Sequence, residues 1–183
     1  MEETIEQKYD RIRPLITNGC IGLVRGKSLI AKGIEWADKA YFSHAFLIYA
    51  VGDRLLCIQA MADGVQPNFL SQEIFANVDF CILQPQFPQE HIDDCVNAAF
   101  TKAEKGIHYN YKQLLNILIQ KKFGYDIQQL HDSVDNICSV FAAWTYGSLL
   151  PLKCYSQEVI KADYISPQDL IRFLDPAEIK IIS

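Results

Sequence analysis

Residues 43–61, SHAFLIYAVGDRLLCIQAM, decide the fold. Two apolar runs flank a Gly-Asp pair, the pattern of a β-hairpin with a two-residue turn. Asp53 and Arg54 interrupt the run, so the stretch falls short of the roughly 18 unbroken apolar residues of a membrane-spanning helix. With the turn at Gly52 and Asp53, Val51 faces Arg54 and the numbers of facing residues sum to a constant. Phe46 then faces Gln59, and His44 is the diagonal neighbour of Gln59 on the same sheet face, within reach of a long side chain.

Further strands are expected on either side of the hairpin: CIGLVRG (20–26) before it, GVQPN (64–68) and VDFCILQP (78–85) after it. An amphipathic helix opens the chain over residues 3–16, and SLIAKGIEWADKA (28–40) forms a second with Ser28 as its cap. After Pro88 the character changes to helix. PQEHIDDCVNAAFTKAEKG (88–106) begins with proline, carries acids in its first turns and stops at a glycine. YKQLLNILIQKKFG (111–124), the stretch starting at Cys138 and ISPQDLIRFL (165–174) complete the helices. Strands first and helices afterwards, without repeats or low-complexity linkers, describe an α+β domain spanning 1–183.

Composition narrows the function classes. Of 183 residues, 50% are hydrophobic and 21% charged, enough for a packed core. The formal net charge is −5 and the lysines and arginines are scattered, which argues against nucleic acid as a partner. The acidic, polar start MEETIEQKYD lacks the features of a secretory signal, so a cytoplasmic location is expected, with no transmembrane segment. The six cysteines show no zinc-ribbon spacing, and neither a metal nor another cofactor is expected.

Cys138 opens the apolar helix CSVFAAWTYG (138–147), behind Asp135 or Asn136 as cap. A thiol there either packs as a small hydrophobe with Ile137, Phe141 and Trp144, or gains thiolate character from the backbone N–H groups and the dipole of the first turn. A thiol nucleophile needs an imidazole to take its proton. His91 and His131 lie in strongly polar surroundings, and nothing fixes the ring of His108 in GIHYNY. His44 sits inside a strand, where a rigid position is available. Gln59, the only polar side chain of LLCIQAMA, can accept from the imidazole N–H and so fix tautomer and orientation. The pair is equally readable as a satisfied polar contact in a sheet.

These residues resemble a family. GLVRGKSLIAKGIEWADKAYFSHAFLIY (22–49) is similar to the N-terminal signature of the circularly permuted NlpC-type cysteine hydrolases of the papain-like superfamily, the YiiX/YebB-like group, in which an RG segment and a helix precede SH on a strand. CIQAMADGVQ resembles that family's IEA…GV strand, HYNYKQLL its YDY helix start, CSVFAAWTY its CSELV nucleophile helix and ISPQDL its closing helix. The five motifs follow in the family's order from about residue 19 to residue 174.

The resemblance implies a permuted papain-like fold: a small curved antiparallel sheet supplying His44 and Gln59, packed against a helical layer presenting Cys138. It implies Cys138 as nucleophile, His44 as general base and Gln59 in the third polar position, where acidic residues are common in the family. Glutamine orients an imidazole without stabilising the imidazolium by charge. Ser43 of the SH step, and Tyr109 and Tyr111 of the YDY match, become candidates for substrate contact. The expected activity is cleavage of a peptide-like amide bond through an acyl-enzyme. Two alternatives accompany it: a lipid-directed thioesterase or acyltransferase of the lecithin-retinol acyltransferase type, acting on a lipid acyl substrate and favoured by an exposed greasy loop near QPNFLSQEIF (66–75), and a catalytically degenerate binding module.

Overall fold

The computed structural model describes residues 3–61, 64–104, 123, 166–173 and 179–183. Cys138, Tyr109, Tyr111, His108 and His131 lie outside the described residues, as do the helix expected from 138 and, but for Phe123, the one expected over 111–124. The described elements in chain order are α1 (Ile5–Ile12), β1 (Ile21–Arg25), α2 (Leu29–Asp38), β2 (His44–Val51), β3 (Arg54–Met61), β4 (Gly64–Phe69), α3 (Leu70–Phe75), β5 (Asp79–Pro85), α4 (Gln89–Glu104), α5 (Pro167–Phe173) and β6 (Ile179–Ile182). Six antiparallel strands in the order β4-β3-β2-β1-β5-β6 form one open sheet, and with the helices make an α+β fold.

The hairpin at the centre is built as its turn requires. Gly52 takes φ 59° while Asp53 stays at negative φ, the signature of a type II′ turn, which matches the twist of the flanking strands. Val51 pairs with Arg54, and the register runs on to Leu47 opposite Ile58. One step further it brings Phe46 beside Gln59.

Alternation of side chains splits the strands' residues between two cores. One face carries Leu23, Ala45, Leu47, Ile58, Ala60, Cys81 and Leu83, covered by Cys95, Val96 and Ala99 of α4 and Leu170 of α5. The other carries Val24, Phe46, Ile48, Cys57, Phe80 and Ile82, covered by Tyr9 and Ile12 of α1 and Leu70 and Ile74 of α3. Both faces of the sheet are therefore dry, which explains strands that read as nearly continuous apolar runs. Among the described residues, no helix is long and apolar enough to cross a membrane.

Three local features differ from the sequence expectation. The first helix ends at Ile12 rather than 16, because Pro14 has no N–H to give the carbonyl of Asp10; a 3-10 turn over Arg13–Leu15 follows. Residues 70–75, between the strands expected at 64–68 and 78–85, form helix α3: Leu70 and Ile74, one helical turn apart, are fully buried, while Phe69 and Phe75 are exposed. The C-terminal IKII adds β6 to the edge of β5.

Candidate functional site

His44 is the first residue of β2 and is half-buried on the face covered by α1 and α3. Its place is set from the backbone up. Val24 of β1 pairs with His44, and the Ser43 N–H donates to the Val24 carbonyl at 3.0 Å. The Ser43 hydroxyl oxygen accepts the Gly26 N–H at 2.8 Å, holding the RG turn against the entry to β2. Gly26 admits no side chain there: a Cβ would stand 2.7 Å from the Ala31 Cβ and 3.2 Å from the Ser43 Oγ. Ser43 is 3% exposed, so the structure places this substrate-contact candidate in the frame beneath the site.

On the same face as His44, the Phe46 ring lies 6.0 Å away, centroid to centroid, tilted by 47°. Phe46 spreads across Gly22 of the neighbouring strand, where a Cβ would come within 1.9 Å of the ring. The glycine thus makes room for an aromatic floor beside the imidazole.

Gln59 of β3 is 2% exposed, and its Oε1 lies 2.8 Å from His44 Nε2. Its other amide atom, Nε2, donates to Oε2 of Glu73 on α3 at 2.9 Å. Glu73 is held in turn by amides. Asn77 Nδ2 donates to Glu73 Oε1 at 3.2 Å and to the Glu73 carbonyl at 2.6 Å, and Asn68 Nδ2 approaches Oε2 at 3.5 Å. The arrangement is a three-residue line, imidazole to amide to carboxylate, crossing from β2 through β3 to α3.

A carboxylate only accepts hydrogen bonds. Glu73 therefore requires the NH₂ end of Gln59, which turns Oε1 toward His44. That oxygen requires a proton on His44 Nε2. The neutral ring is then the Nε2–H tautomer, with Nδ1 as its acceptor nitrogen, the atom suited to take a proton from a nucleophile.

Glu73 escaped the sequence reading, although Leu70 and Ile74 at helical spacing signal the turn that carries it. The four described thiols are poor nucleophiles. Burial, with Glu73 adding to it, pushes Cys57 up to about 12, and burial pushes Cys81 and Cys95 up to about 11. Cys20 is also raised by burial. Among the described residues, no three His, Cys, Asp or Glu side chains converge as a metal site. A cavity of about 390 Å³ lined by Tyr49, Leu56, Pro67, Asn68, Phe69 and Gln72 opens at the β4 edge of the sheet.

The sequence matches no family model and no curated protein. A solved structure does match: the metalloprotein YiiX from Escherichia coli O157:H7, with a TM-score of 0.50 over 91% of this chain and 96% of that one, at 13% identity. At that identity the likeness shows a shared fold, and the six-stranded sheet with its helices is a YiiX-like α+β arrangement.

Proposed function

We propose that this chain is a cysteine hydrolase of permuted papain-like architecture, cleaving a peptide-like amide bond, with Cys138 as nucleophile, His44 as general base and Gln59 as the residue that orients the imidazole. The observation that carries the reading is the 2.8 Å contact between His44 Nε2 and Gln59 Oε1 on a rigid strand. A neutral amide in the third position is compatible with catalysis, since Cys-His-Asn sites use one. The fold shared with YiiX and the order of the sequence motifs support it further.

In the proposed reaction His44 Nδ1 takes the Cys138 proton, and the thiolate attacks the amide carbon, forming a C–S bond. The oxyanion is stabilised by the Cys138 backbone N–H and a second donor. The C–N bond breaks as the imidazolium protonates the leaving amine. Water, deprotonated by His44, attacks the thioester; the C–S bond breaks, and acid and thiol are released. Tyr109 and Tyr111 are proposed as phenol donors lining the cleft.

YiiX is described as a metalloprotein. The described residues around His44 do not suit a cation: the imidazole Nε2 is committed to Gln59, and both Glu73 oxygens face amide N–H donors.

The test is intact-mass labelling with matched amide- and ester-based activity probes on wild type, Cys138→Ala and His44→Ala. The expected result is one adduct, lost in Cys138→Ala and strongly slowed in His44→Ala, with the amide probe preferred. Preference for long-chain ester probes transfers the reading to the lipid-directed thioesterase or acyltransferase. No adduct with any probe leaves the binding module.

A further inference from the structure

We infer that Glu73 is a positioning residue for His44, acting through the Gln59 amide to set which ring nitrogen carries the proton; the inference deepens, and rests on, the reading of His44 as general base. The chain of donors has one direction. His44 Nε2 donates to Gln59 Oε1 at 2.8 Å, and Gln59 Nε2 donates to Glu73 Oε2 at 2.9 Å. Only a group that cannot donate enforces that direction. A neutral residue at the end of the line would let the Gln59 amide turn over and present its NH₂ to the ring. The ring would then answer with the Nδ1–H tautomer, whose basic nitrogen points into the sheet rather than toward a nucleophile.

Three features of the fold make Glu73 a fixed terminus. It lies on α3, whose Leu70 and Ile74 are fully buried in the same core as Phe46 and Cys57. The Asn77 amide, one helical turn on, bonds both its carboxylate and its carbonyl, so the side chain has little freedom to swing to solvent. Asn68, on β4 beside β3, brings its Nδ2 to 3.5 Å from Oε2, and the charge so held adds to burial in pushing the Cys57 thiol up. Glu73 also returns to the site the negative charge that glutamine in the third position lacks. It sits one amide further from the ring, where it stabilises an imidazolium through a polarised hydrogen bond.

The experiment uses the full chain labelled with ring-¹⁵N histidine. His44 is assigned among the four histidines by comparison with His44→Ala, and its tautomer is read from two-bond ¹⁵N–¹H correlations. The wild-type ring should be the Nε2–H tautomer; a wild-type Nδ1–H ring overturns the inference with no variant needed. Glu73→Gln, which keeps the volume and removes the acceptor-only end, should shift the ring toward Nδ1–H and slow iodoacetamide labelling of Cys138 about tenfold. Glu73→Asp, which keeps the direction of the chain, should hold the Nε2–H tautomer and recover most of that rate. If Glu73→Gln leaves tautomer and labelling unchanged while His44→Ala slows labelling, the inference fails and the hydrolase reading stands. If Glu73→Gln shifts the tautomer but labelling ignores both substitutions, the positioning role stands and the hydrolase reading fails.

Discussion

Replacing Gly22 by alanine tests whether the aromatic floor beside His44 is built as described. The added Cβ would meet Phe46 at 1.9 Å from Cε2, 2.4 Å from Cζ and 2.7 Å from Cδ2. Carbon atoms pack comfortably at about 3.5–4.0 Å, so the ring must retreat by roughly 1.5 Å or the strands must part. Phe46 is fully buried, as are its cluster partners Val24, Ile48, Cys57, Phe80 and Ile82, so retreat means overpacking elsewhere. Overpacking of this kind costs about 1–3 kcal/mol, and a fully enclosed ring belongs at the upper end. Replacing a strand glycine returns about 0.5–1 kcal/mol. The net expectation is a loss of about 2 kcal/mol. With an m-value of about 2 kcal/mol/M, the urea midpoint followed by far-UV circular dichroism should fall by about 1 M. Phe46→Leu should relieve the clash, so that Gly22→Ala costs under about 0.5 kcal/mol in that background and the cycle shows coupling. A Gly22→Ala midpoint equal to wild type, or strict additivity in the cycle, refutes the placement of the ring over Gly22.

Other perturbations separate other parts of the structure. Gly33 of α2 has open space where a Cβ would go, so Gly33→Ala should raise stability by about 0.5–1 kcal/mol, read as a higher urea midpoint. Cys57, Cys81 and Cys95 stay protonated in the folded chain to about 11–12, whereas unfolded thiols ionise near 9. Their contribution is whole below pH 9 and lost as pH rises through 11–12, so the urea midpoint should fall between pH 8 and 10.5, and less steeply in Cys57→Ala. Burial opposes ionisation of Asp79, but Lys8, the Tyr41 hydroxyl and the Phe80 N–H outweigh it and hold the carboxyl below the ordinary aspartate range. That stability is present above the ordinary aspartate pKa and lost as pH falls through the depressed value; Lys8→Met should therefore move acid unfolding to higher pH, a shift visible by tryptophan fluorescence.

How much of the fold is legible in the sequence follows from how local its causes are. The hairpin announces itself because Gly52-Asp53 meets the φ demand of a two-residue turn, and once the turn is set the pairing of every later residue follows by counting. α2 announces itself because Ser28 both caps it and ends the strand approach; its hydroxyl oxygen accepts the Ala31 N–H at 3.0 Å. α3 is harder to read. It is only six residues long, too short for a helical period to repeat, and the Leu70–Ile74 spacing is the one local sign of it. β6 carries three isoleucines that favour a strand, but it is too short to declare itself. Four residues become a strand because β5 offers an open edge, with Ile182 buried against Ile82.

The candidate site divides along the same line. His44 and Gln59 lie on two strands joined by a two-residue turn, so their meeting is a matter of arithmetic on the sequence. Glu73 meets Gln59 because β4 returns beside β3 and α3 then folds back over the face that β3 presents. No spacing rule reports that contact, since it depends on where a short helix lands rather than on a repeat. The consequence is chemical. Seen along the chain, glutamine beside a histidine is a loss of charge and a reason to doubt the base. In the fold, the amide carries a carboxylate's directing influence across one more residue, because an acceptor-only terminus makes both hydrogen bonds point the same way. The line from His44 through Gln59 to Glu73 therefore ends in a carboxylate on α3 and makes the packing of Leu70 and Ile74 part of what holds that line in place.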